Sequence, residues 1–305
     1  MLIFGASFLL LIVLMAIFGP HLRHNPTDMG ASPHLPPSGN YWLGTDEVGR
    51  DVFARIAYGA RISLQVGLIV QAISLSIGVL VGVLGVYAPK WIAIPLLRLT
   101  DGMFAFPDIL LAILIIGVFG MGITPVIAAL SVTAWPGVAR LVRTQVATLK
   151  DREFVVASKA IGATPWHVVT RHVLPQLGGI LMAVSMVDLA GTILAESTLS
   201  FLGIGVQAPT PSWGSMINNA RSDMNSHPML LLWPCIVLSL TIFSLNFVGD
   251  SLRAALDPKS DGQARPFAFL TSLKERFMGG KRVLESENLD SAEDVPAEDA
   301  APRDK

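Results

Sequence analysis

The sequence predicts an all-α integral membrane protein, and three observations predict it. Charged residues make up 15% of the 305-residue chain, against about a quarter in an ordinary soluble domain. Mean hydropathy is +0.57. The missing charge is also concentrated: residues 1–20, 62–89, 109–139 and 228–249 contain no Asp, Glu, Lys or Arg. A helix needs ~20 apolar residues to cross a bilayer core of ~30 Å. Amphipathic helices of soluble proteins keep one polar face, which these blocks lack.

Taken in order, the spans number six. The first occupies residues 1–20 and ends at Gly19-Pro20. It lacks the basic start and small-residue cleavage site of a signal peptide, so it reads as a retained span. Residues 21–61 form a loop outside the membrane. Within it, residues 45–61 read as an amphipathic helix on the membrane surface, with Val48, Val52, Phe53 and Ile56 on the apolar face and Asp51–Arg55 as an i,i+4 pair. Residues 62–250 hold the other five spans. The second is residues 62–88, ended by Ala88-Pro89. The uncharged block 109–139 would be ~46 Å long as one helix, too long for a single crossing. Gly120-Met121-Gly122-Ile123-Thr124-Pro125 divides it into spans at 104–119 and 124–143. The fifth and sixth spans are 177–200 and 229–249. Gly78-x-x-x-Gly82 lets backbones approach closely and reads as internal packing. Arg98 and Asp101, three residues apart, read as a structural pair.

Basic residues set the orientation. With the N-terminus inside, the inner segments collect Lys90, Arg98, Arg140, Arg143, Lys150, Arg152, Lys159, Arg171, Arg253 and Lys259. The outer segments collect Arg23, Arg50, Arg55, Arg61 and Arg221. Ten against five favours both termini in the cytoplasm of a multi-pass protein of the cell membrane, in contact with membrane lipid. Residues 259–305 are rich in Glu, Asp, Ala and Pro and read as a disordered cytoplasmic tail.

The sequence lacks a Walker-type phosphate loop and a His-Glu-x-x-His zinc motif, and its one cysteine, Cys235, lies in an apolar run. An enzyme, a resident metal or cofactor, and a nucleic-acid partner are therefore not expected. Asp188 and Glu196 lie eight residues apart in the fifth span, on nearly one face. Ionisable groups at membrane depth are costly, so both are candidate pore-lining residues. Local hydrogen bonding is the equal alternative for Glu196.

The loop 151–175 reads as helix, break and helix. Asp151 is placed to cap the first helix and Gly162 to end it in a left-handed conformation. Thr164-Pro165 suits the start of the second, and Pro175 its end. Phe154, Ala157 and Ile161 share one face. On spacing alone, docking of another protein and packing on the chain's own spans stand equal.

Gly162 with Leu174-Pro175 twelve and thirteen residues on resembles the "EAA" loop of ABC importer permeases, although its signature Glu position is Val156 and its Ile position His172. Glu153 matches the acidic residue common in the peptide-importer branch. Leu43–Leu64 and Ala195–Gly214 resemble the C-type subunit of the dipeptide/oligopeptide/nickel permease family, as do Asn246–Asp250 and Arg253–Pro258. The resemblance covers about residues 41–259. Such permeases begin with a basic cytoplasmic segment that is missing before residue 2, so the start is expected to be truncated or misassigned.

The resemblance implies a type I ABC importer permease fold and a defined set of partners. A B-type permease would complete a heterodimer, two cytoplasmic ATPases would bind ATP and Mg, and an extracytoplasmic binding protein would deliver di- or oligopeptides. Glu153, Phe154, Ala157, Ser158, Ile161, Gly162, Leu174 and Pro175 would form the ATPase-coupling loop. Pro209 and Trp213 would face the binding protein. The rival reading is a self-contained secondary transporter or channel, which would need acids in several spans or paired broken helices.

Overall fold

The computed structural model describes residues 2–22 and 24–256; the tail expected over 259–305 lies outside the described residues. Ten α-helices and one π-helical turn make up the described fold. The first long elements are α1 (Leu2–Leu22) and α2 (Val52–Tyr87), followed by the shorter α3 (Lys90–Met103) and α4 (Asp108–Phe119). Helix α5 (Ile123–Lys150) leads into α6 (Glu153–Ala160) and α7 (Pro165–Val168). A π turn (Val169–Val173) joins α7 to α8 (Leu174–Phe201), and α9 (Trp213–Ala220) and α10 (Pro228–Leu256) complete the chain. With no water in a bilayer core to satisfy the backbone, helices are the expected solution.

Five segments are long and apolar enough to cross a membrane. The count reaches six only if α3 and α4, which meet at 96°, form one broken span. Helix α4 alone has 12 residues, or ~18 Å, too short for a crossing. The helix expected over 104–119 starts instead at Asp108, because Pro107 disfavours helix at Phe106 and forces the break from α3.

The second span also differs from expectation. Residues 45–51 are an irregular loop and helix begins at Val52, so no separate surface helix exists over 45–61. Val52 and Ile56 are buried against Leu43, Met216 and Trp233, whereas Val48 is exposed. Asp51 accepts from the Phe53 and Ala54 amides, capping α2 at its start. Its expected partner Arg55 instead reaches Asp46 (3.4 Å) and the Pro26 carbonyl (3.3 Å). Two orphan amides at a helix N-terminus outcompete a guanidinium one turn away.

Helices α2 and α5 form the central pair. A Cβ at Gly78 would lie 2.5 Å from Val138 Cβ, and one at Gly82 would lie 2.7 Å from Val142 Cβ. The Gly-x-x-x-Gly stretch is thus an internal packing seam, as expected. Below it, Val142, Val146, Val155, Val168, Val173 and Leu177 bind α5, α6, α7 and α8 into one apolar cluster. At the opposite end, Ile62, Val66, Ala112, Ile116, Val126 and Leu199 join α2, α4, α5 and α8. Helix α1 buries Ile12 and Ala16 against α2 and α10 and turns Leu10, Leu11, Leu14, Ile17 and Phe18 outward. An outward apolar face has no reason to exist in water and suits lipid.

Overpacking a tight seam costs about 1–3 kcal/mol or more per site. Gly82→Leu should therefore lower the melting temperature of the purified protein markedly. Gly117→Ala, where an added Cβ meets nothing within 4 Å, should leave it within about a degree or two of wild type. Thermal unfolding followed by intrinsic fluorescence in detergent checks both.

Candidate functional site

Three features carry the chemistry: an exposed ledge at the α6–α7 end, a cavity along the bundle, and a polar clasp with its loops at the opposite end.

The ledge is built from a helix break. Gly162 has φ +87°, a left-handed conformation that an L side chain resists. The turn lets α6 stop and α7 restart, with Thr164 accepting from the His167 amide at the cap and Pro165 in the first turn. Val155 and Ser158 point inward and are buried. Glu153, Phe154, Val156 and Ala157 point outward. Ile161 is 87% exposed and Trp166 75% exposed. Ser158, expected on the docking face, therefore belongs to the inner face; it sits three residues after Val155 on the same side of the helix.

Two other expectations about this loop need correction. Arg152, not Asp151, occupies the N-cap of α6, and no side-chain cap is formed there. Pro175 does not end the second helix: the chain runs helical from Pro165 to Phe201. Leu174 N donates to Val169 O, five residues back. That widened π turn precedes Pro175 and accommodates its missing N–H and its ring. Leu174 is half-buried in the inner cluster and Pro175 is exposed.

The cavity has a volume of about 690 Å³ and is walled by α4, α5 and α8, with Arg253 of α10 at its edge. Asp188, Thr192, Thr133 and Asp108 are among its polar lining groups. Pro136 and Gly137 of α5 line it too, so this wall is continuous in chain with the segment leading to the ledge. Near its rim, Arg140 lies 3.8 Å over the Phe104 ring and 3.5 Å from Asp101. Asp101 thus pairs with Arg140 rather than with Arg98, because α3 packs against α5.

Glu196, the second expected pore residue, does not line the cavity. It is fully buried and accepts from Ser63 Oγ (2.9 Å), Ser200 Oγ (2.8 Å) and, more weakly, Ser197 Oγ (3.4 Å). The Ser212 hydroxyl also interacts with it. The carboxylate thereby ties α2 and α8 to the start of α9. Eight residues separate Glu196 from Asp188, about 80° of rotation at 100° per residue, enough to place one in a seam and the other in the cavity.

At the same end, Pro209 is exposed but Trp213 is fully buried. Its Nε1 donates to Ile56 O at 3.1 Å. Trp213 is therefore an anchor between α9 and α2, not a surface contact; a large ring with a single donor is well suited to that role. The sequence motif around Gly44–Arg55 is a knot of buried charge. Asp46 accepts from the Arg50 amide and from Arg50 Nε (2.6 Å), while Arg50 Nη2 reaches Glu47 (2.9 Å). This knot, and the cavity positions of Asp108 and Arg253, went unrecognised at the level of sequence. An acid–base alternation between Asp46 and Arg55 was the available signal for the first.

Residues 74–262 match the family described as "Binding-protein-dependent transport system inner membrane component". The chain belongs to this family. It is 40% identical over 258 residues to the dipeptide transport system permease protein DppC of Bacillus subtilis (strain 168), covering 84% of this chain and 81% of that one. It is 39% identical over 223 residues to the glutathione transport system permease protein GsiD of Pectobacterium atrosepticum, covering 73% and 74%. The fold resembles that of the MetNI methionine ABC transporter in an inward-facing conformation, with a TM-score of 0.56 at 19% identity over 67% of this chain and 96% of that one. An amino acid ABC transporter gives 0.52 at 13%, over 66% and 94%.

The protein is therefore a multi-pass permease subunit of an ABC importer and works with other ABC components. ATP hydrolysis belongs to partner subunits, and the self-contained transporter reading is set aside.

Removing the Trp213 ring should cost far more than removing its donor. Trp213→Ala is expected to destabilise by about 3–5 kcal/mol, and Trp213→Phe by ~1 kcal/mol. Denaturation midpoints of the two purified variants check the order.

Proposed function

We propose that this chain pairs with a B-type permease to enclose the translocation path of a short-peptide importer. Two cytoplasmic ATPases drive it, and an extracytoplasmic binding protein supplies it. The observation that carries the reading is the ledge: Phe154, Val156, Ile161 and Trp166 are exposed large apolar side chains on a loop between spans. Lipid explains apolar exposure along a span, but a helical break beyond the membrane needs a protein partner. Glu153, Ala157 and Gly162 complete the docking face, while Leu174 and Pro175 connect it to α8. Ser158 acts from the inner face, keeping α6 close to the bundle.

Force would pass by rigid packing. Val155 and Val168 lock the ledge to Val142 and Val146 of α5 and to Val173 and Leu177 at the root of α8. Those two helices wall the cavity, so a push on the ledge becomes rotation of the cavity walls. No bond chemistry is required of this chain.

The orientation follows from charge. Both termini lie in the cytoplasm, with the ledge. Two of the arginines opposing that orientation, Arg50 and Arg55, are buried and neutralised by Asp46 and Glu47, so they weigh less as topology signals. Pro209 and the exposed loops around it face the binding protein. The substrate class rests on the relatives named for dipeptide and glutathione transport, which share a short peptide skeleton.

Tagged protein purified from native membranes should bring with it a second permease and ATP-binding subunits. Ile161→Asp should reduce recovery of the ATPases roughly tenfold or more, ~1.4 kcal/mol per decade. Gly162→Val, strained at a positive φ, should abolish uptake while the protein still inserts. Wild-type recovery of ATPases with Ile161→Asp would remove the ledge from the interface.

A further inference from the structure

We propose that Asp188 is the residue of this permease that binds the primary ammonium group of the substrate during its passage, an inference that rests on the short-peptide reading above. Asp188 is the fifteenth of 28 residues in α8, at the middle of the fifth span expected over 177–200. A charge at the centre of a bilayer costs at least ~2.5–3.5 kcal/mol unless it faces a partner or a wet cavity. Asp188 faces the cavity.

No side chain among the described residues donates a hydrogen bond or an ion pair to its carboxylate. The polar neighbours on the wall are already engaged. Thr192 Oγ1 donates to the Asp188 backbone carbonyl at 2.9 Å, and Thr133 Oγ1 donates to Leu130 O at 3.2 Å. Glu196, on the same helix, shows the contrast: its oxygens are filled by serine hydroxyls in a closed seam. One carboxylate is thus a structural clasp, while the other is left unpartnered in a space large enough for a short peptide.

The charge balance of the cavity gives the ligand class. Its ionisable lining groups are Asp108, Asp188 and Arg253, two carboxylates against one guanidinium, and Arg253 forms no ion pair with Asp188. A carboxylate with free acceptor sites in a low-dielectric space favours a cation with several donors. A primary ammonium supplies three. Gly191, one residue short of a full turn along, leaves open space where a side chain would otherwise crowd the approach. The contact would be transient, holding the peptide's amino end between its release from the outer loops and its exit.

The test uses the complete importer reconstituted in liposomes with its binding protein, and dialanine and glutathione as probes, both of which carry the ammonium. Wild-type complex that transports neither probe would refute the short-peptide reading itself, before any variant is considered. With a transporting wild type, Asp188→Asn and Asp188→Ser should lower uptake roughly tenfold to a hundredfold. Binding-protein-stimulated ATPase activity should persist in both, and Asp188→Glu should restore uptake. Unchanged uptake in the neutral variants would overturn the proposal, as would a Glu variant as poor as Asn. Failure of both neutral variants to assemble would make Asp188 structural and overturn it as well.

Discussion

Helices α2 and α5 touch where Gly78 and Gly82 of one meet Val138 and Val142 of the other, and the rest of the bundle is arranged around that contact. In lipid there is no hydrophobic force between helices, so close packing has to supply the attraction. Missing side chains on α2 let the valines of α5 sit against its backbone. Helix α5 runs on from this seam into the ledge at one end and forms a wall of the cavity along its length. The seam thus fixes the element that links the two functional features.

Around that spine, the chain handles its charges in three different ways. Asp46, Glu47, Arg50 and Arg55 neutralise one another in a compact loop outside the spans. Glu196 is satisfied by hydroxyls in a seam. Asp188 alone of the two acids in α8 is left facing open space. Burial of an unpaired charge is costly and burial of a satisfied one much less so. That difference separates scaffold from candidate site more sharply than position in the chain does.

The ledge shows what sequence spacing conveys about docking. Helical periodicity placed Phe154, Ala157 and Ile161 together, and the structure leaves all three exposed. It could not say which face turns inward, and Ser158 fell on the wrong side. That choice depends on Val155 meeting Val142 and Val168, residues distant in sequence. Likewise, a tryptophan in an outer loop looks like a contact residue until Ile56, 157 residues away, is found holding its nitrogen.

By itself the sequence determined the class, the approximate spans, the Gly78/Gly82 seam and the left-handed break at Gly162. These follow from local properties: hydrophobic length, absent side chains and backbone freedom. Tertiary structure decided the 96° bend between α3 and α4, the fate of Asp51 and Arg55, and the separation of Glu196 from Asp188. Each of those turns on competition between partners far apart in the chain. A polar side chain's role is set by which partner reaches it first in space, and spacing along a single helix does not contain that information.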